Sequence, residues 1–89
     1  MTAGELRVWR LGRFRPGTRD PLTQADLGRM MCLKGGCKTV QRWEFDPDNA
    51  QSRKVPTWLP TFLRLVDSYN GNKREITHRT MRFLSEEVE

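Results

Sequence analysis

The stretch Leu22 to Glu44, LTQADLGRMMCLKGGCKTVQRWE, constrains the chain more than any other. Leu22, Leu27, Met30 and Met31 recur near the spacing of one helical face. Thr23 can cap that helix, since its hydroxyl can take up one of the free first-turn N–H groups. Asp26, three residues on, is a favourable charge near a helix N-terminus, although a capping box would carry Glu or Gln there. Lys34-Gly35-Gly36 breaks the pattern, because glycine accepts turn angles that other residues resist. A second helix then runs from about Cys37 to Phe45 with Val40 and Trp43 inward. Lys38, Thr39, Gln41 and Arg42 are left outside, and those side chains match base edges: Arg and Lys suit guanine, Gln suits adenine.

TQADLGRMM followed by KTVQRWE resembles the helix-turn-helix of lambda-repressor/Cro-like (XRE-type) regulators, whose members carry a TQ-x-x-L-A pattern, a turn and a TV-x-RWE recognition helix. Two departures stand out. Cys32 occupies a position where glycine is usual, and the turn is longer than the family's. The resemblance implies base contacts from Cys37, Lys38, Gln41 and Arg42, with Thr39 in support. It implies backbone contacts from Gln24, which can also brace a reading side chain, from Thr23 beside it, and from Arg53 and Lys54 after the recognition helix. Glu44 matches a glutamate that fixes the following loop. The implied function is a sequence-specific DNA-binding transcriptional regulator, a repressor acting as a homodimer on a palindromic operator in double-stranded DNA. Regulators of this size occur in phage and mobile elements.

The alternative from another class is a small helical inhibitor or adaptor, such as a phage anti-host protein, binding a partner protein through the same surface. Such a surface would show exposed apolar or aromatic residues on the second helix, where this chain has Lys, Thr, Gln and Arg. The net charge of +5, from 16 basic and 11 acidic residues, suits a polyanionic partner but is also common in small soluble domains.

With 89 residues, the sequence predicts a single domain over 1–89, all-α, a small bundle of about five helices near 3–12, 22–32, 37–45, 57–70 and 73–87. Thr2-Ala3-Gly4-Glu5 has the form of a capping box. It decides for a helix through Leu6, Val8, Trp9 and Leu11, although Val8-Trp9 would also suit a strand. Arg7 and Arg10 read as a solvated face. Gly12 to Pro21 reads as a loop, with a turn at Pro16-Gly17. In it Arg13, Arg15 and Arg19 form either a basic arm over the DNA backbone or a disordered segment. Asp46 to Val55 is a second loop, whose Asp46 and Asp48 must point away from DNA.

Pro56 to Pro60 opens a helix with a buried stripe of Leu59, Phe62, Leu63 and Val66, widened by Trp58 and Leu65. Val40, Trp43, Leu27, Met30 and Phe62 are expected to share one core. Asn70-Gly71 ends this helix. Asn72 then caps a last helix carrying Ile76, Thr80, Phe83, Leu84 and Val88. That helix either completes the core or carries the dimer contact, for which Phe83 and Val88 are the candidates.

No pattern of nucleophile and base, phosphate-cradling glycine loop or paired carboxylates appears, so the chain reads as not an enzyme and as needing no cofactor. Cys32 and Cys37 read as small, partly buried thiols rather than metal ligands, and the single His78 as a surface residue. No apolar run reaches the length of a membrane span, and nothing near Met1 reads as an export signal. A cytoplasmic protein with no evident small-molecule effector is the expectation.

Overall fold

The computed structural model describes residues 1–86, with side chains as far as Leu84. The fold is all-α, a bundle of five helices among the described residues: α1 (Ala3–Leu11), α2 (Gln24–Met30), α3 (Cys37–Glu44), α4 (Leu59–Tyr69) and α5 (His78–Glu86). None of them is long and apolar enough to cross a membrane.

Each start has a local cause. Thr2 and Glu5 close the capping box of α1, and the hydrogen bonds from Thr2, that of its backbone N–H first, hold the Glu5 carboxyl below its usual pKa. Only one face of α1 turns inward, through Leu6, Trp9 and Arg10, while Val8 and Leu11 face solvent. That one-sided use explains its weak apolar period.

At α2, Thr23 and Asp26 form a full reciprocal capping box. The carboxylate thus does what Glu or Gln was expected to do. The helix begins after Thr23, so Leu22 is buried from outside it. In α4, Pro60 occupies the first turn, where its missing N–H costs nothing.

The last helix starts later than the expected residue 73. Asn72 does not cap it. Its φ of 57° places it in the left-handed region, one residue past the glycine that ends the preceding turn. Asn70 organises the connection instead. Buried, its amide donates to the carbonyls of Lys73 and Glu75, and its carbonyl accepts from the Thr77 N–H and the Thr80 hydroxyl. These bonds hold 73–77 extended, and Thr77 becomes the cap by accepting from the Thr80 N–H. The extended piece pairs with Phe14: the Phe14 N–H donates to Arg74 and its carbonyl accepts from Ile76.

The core has two joined clusters. Leu6, Leu27, Val40, Trp43, Val55, Leu59 and Leu63 form the first. Leu22, Met30, Val66 and Ile76 form the second, and Trp9 and Phe62 pack against both. Met30 therefore belongs with α5 and the end of α4 rather than with Val40 and Trp43. Trp58 and Leu65 do not widen the stripe of α4. Trp58 precedes the helix and is half exposed, and Leu65 points outward, about a third of a turn off the Leu59–Leu63–Val66 line.

Candidate nucleic-acid interface

Helices α2 and α3 pack closely across the turn Met31–Gly36. Gly28 allows this. A β-carbon there would sit 2.6 Å from the carbonyl carbon of Gly36, closer than atoms can approach. Gly35 similarly leaves room for the Thr39 hydroxyl. Cys32 has φ 51°, a left-handed angle for which glycine is the low-cost residue. The position where the family carries glycine thus has the backbone that glycine serves, and here a cysteine bears the strain while its thiol donates to the Leu84 carbonyl at 3.2 Å.

With Val40 and Trp43 buried, α3 turns its other side outward. Cys37, Lys38, Gln41 and Arg42 are exposed together. Their spacing of one and four residues puts them on one face. Thr39 stands apart, half buried against Gly35. Cys37 is an exposed thiol rather than a partly buried one, and Cys32 is half buried.

Glu44 is the acid of α3, and it is turned inside. Its two oxygens accept from Nε and Nη2 of Arg10, both at 2.8 Å, while Nη1 donates to the Leu22 carbonyl. The side chains are only 11% and 3% exposed. The hydrogen bond to Glu44 pushes the Arg10 guanidinium above its usual pKa, so it stays a cation. Gln24 donates to Glu44 as well, at 3.4 Å. Two expectations change here. Arg10 is a buried ion-pair partner and not a solvated charge, and Glu44 ties α3 to α1 and α2 rather than fixing the loop after it.

That loop is held by its own turns. Asp48 N–H donates to Asp46 Oδ1 and Gln51 N–H to Asn49 Oδ1, leaving both aspartates exposed. The Arg53 N–H then donates to the Arg42 carbonyl at 3.1 Å. The exposed Arg53 and Lys54 are thereby placed beside the end of α3.

The basic segment 13–21 is not a loose arm. Leu22 N–H donates to the Arg13 carbonyl and Arg15 N–H to Asp20, and Phe14 is pinned to 74–76. Arg13 is committed elsewhere: it grips both oxygens of Asp67, donates to the Trp9 carbonyl and lies 4.4 Å over the Trp9 ring. It is not placed as a phosphate ligand. Arg15 pairs with Asp26 at 3.0 Å yet remains half exposed at the start of α2. Thr23 is engaged in the cap of the same helix. Of the expected set, the structure brings together Cys37, Lys38, Gln41, Arg42, Arg53 and Lys54. Val88 lies outside the described residues. Among those residues no group of His, Cys, Asp or Glu could hold a metal.

No family of known sequences, no curated protein and no solved structure matches the chain.

Proposed function

We propose that the protein is a sequence-specific regulator that binds double-stranded DNA by laying the outer face of α3 in the major groove. One observation carries this reading. The exposed face of α3 presents Lys38, Gln41 and Arg42 while its acid, Glu44, is neutralised inside by Arg10. A short helix whose outward charge is all positive and whose polar tips include an amide and a guanidinium has the chemistry of base readout. Arg42 takes guanine, because its guanidinium meets two acceptors at once. Gln41 takes adenine. Lys38, a turn earlier, meets a base edge or a phosphate. Arg53 and Lys54, tied to the end of α3 through the Arg42 carbonyl, take the phosphates alongside.

Two copies would place two such helices in successive grooves about 34 Å apart, which makes the operator palindromic. Occupying a promoter in this way represses most simply by excluding polymerase. A partner protein would be met by exposed apolar side chains, and the outer face of α3 offers only the Cys37 thiol.

Binding is expected to weaken steeply with salt, because each neutralised phosphate releases a counterion. Arg53→Ala and Lys54→Ala should each weaken binding to every duplex about equally and flatten the salt slope by about 1. Fluorescence anisotropy on two unrelated duplexes across a salt series reads both effects. A change in which bases are preferred, with the slope unchanged, would remove these residues from the phosphate role.

A further inference from the structure

Where the chain leaves α3, a hollow of about 410 Å³ opens between that end of the helix, the return at 52–55 and the first turn of α1. Small-molecule sites span roughly 300–1,000 Å³ and are mostly apolar with a few placed polar groups. Trp43, Phe45, Pro47 and Val55 supply the apolar lining here. Trp43 and Val55 belong to the core, and Phe45 is half-buried. Arg53 and Lys54 stand in the same wall, both exposed. Nη1 of Arg53 donates to the Ser52 carbonyl at 2.9 Å, which steadies the guanidinium there. No carboxylate is among the described residues that line the hollow. Asp46 and Asp48 lie on the same loop but outside its lining, with Asp46 Oδ1 accepting from the Asp48 N–H. The hollows beside Trp9 differ, because their walls include Glu5 or Asp67.

Apolar walls with two cations at one edge select a molecule that has an apolar body and an anionic end. A neutral apolar molecule leaves the cations unused, and a bare anion leaves the rings uncovered. We propose that this hollow binds a small amphipathic anion, an aromatic carboxylate in class, its ring against Trp43 and Phe45 and its carboxylate on Arg53 and Lys54, and that the occupant displaces DNA. Those two cations are the ones assigned above to phosphates, and the Arg53 N–H is bonded to the Arg42 carbonyl at the end of α3. Ligand and duplex thus claim the same charges, and each weakens the other by the same factor. This consequence rests on the reading of Arg53 and Lys54 as phosphate ligands, whereas the site itself does not. No sequence motif announces such an effector, because the wall gathers residues from 2–3, 43–47 and 52–55.

Proton–nitrogen correlation spectra of the full-length protein, titrated at constant pH and ionic strength without DNA, read the site. The probes are 2-naphthoate, its neutral counterpart 2-naphthalenemethanol, and inorganic phosphate. Naphthoate should saturably shift the Trp43 indole N–H and the amides of Phe45 and 52–55, with a dissociation constant near or below about 1 mM. The alcohol and phosphate should each bind at least about tenfold more weakly. Arg53→Ala/Lys54→Ala, two exposed changes that leave folding intact, should raise the naphthoate constant at least about tenfold. No saturation of these signals by about 10 mM naphthoate, equal binding of the alcohol or of phosphate, or an unchanged constant in the double variant would each overturn the proposal. On a duplex that the wild type binds, naphthoate should lower the anisotropy where phosphate at equal ionic strength does not. Naphthoate that fills the hollow and leaves duplex affinity unchanged would overturn the displacement. A protein that binds naphthoate in the hollow and no duplex at all sinks the DNA reading and leaves the site standing.

Discussion

Replacing Glu44 with alanine should destabilise the protein by about 3–5 kcal/mol, the cost of leaving a buried charge without its partner. The guanidinium of Arg10 has Glu44 as the acceptor for two of its nitrogens and the Leu22 carbonyl for the third. Removing the carboxylate strands a cation that is nine-tenths covered, and a guanidinium is too basic to lose its proton at neutral pH instead. Against a total stability of about 5–15 kcal/mol, such a loss is a large share. The pair also joins three elements: α1 through Arg10, the entry to α2 through Leu22 and Gln24, and the end of α3 through Glu44. DNA affinity should therefore fall in Glu44→Ala even under conditions where the protein remains folded. The double variant Arg10→Met/Glu44→Leu, which replaces both charges with apolar groups, should recover most of the stability. Urea unfolding measures all three proteins. A loss below about 1 kcal/mol in Glu44→Ala, the range of an exposed pair, would show that water screens this one.

Trp43→Ala should cost a similar amount, about 3–5 kcal/mol, because deleting a buried ring removes its transfer energy and leaves a cavity. Trp43 sits in the larger cluster and meets Trp58 edge-on at 6.3 Å, and Trp58 in turn meets Phe62 edge-on at 6.2 Å. Trp58→Ala provides the comparison. Half exposed, Trp58 should cost far less. Equal costs for the two tryptophans in chemical unfolding would mean that the core is not centred where the buried areas place it.

The helices were legible wherever a local signal was self-contained. Thr2 with Glu5, Thr23, the Lys34-Gly35-Gly36 break and Pro60 each act within a few residues, and each marks an observed boundary to within one turn. The start of α5 was not legible. Asn70 bonds to positions three to ten residues away and spans the connection, so its side chain outweighs the capping pattern that Asn72 and Glu75 display. Of the candidate interface, the outward face of α3 followed from the inward pair Val40 and Trp43. The roles of Arg10 and Arg13 did not. A surface arginine and a buried one look alike in sequence, and their partners Glu44 and Asp67 lie 34 and 54 residues away. Gly28 was missed for the same reason, since a close approach to Gly36 is a tertiary fact.

The claim that α3 reads DNA is tested most directly by selecting duplexes from a random pool with purified wild type and with Arg42→Ala. The account predicts a two-fold symmetric motif for the wild type, with guanine positions that lose their preference in Arg42→Ala at a cost of about 1–3 kcal/mol on the preferred site and far less on unrelated DNA. A pool without any enriched motif, or a motif whose base preferences are the same at every position in both proteins, would contradict it.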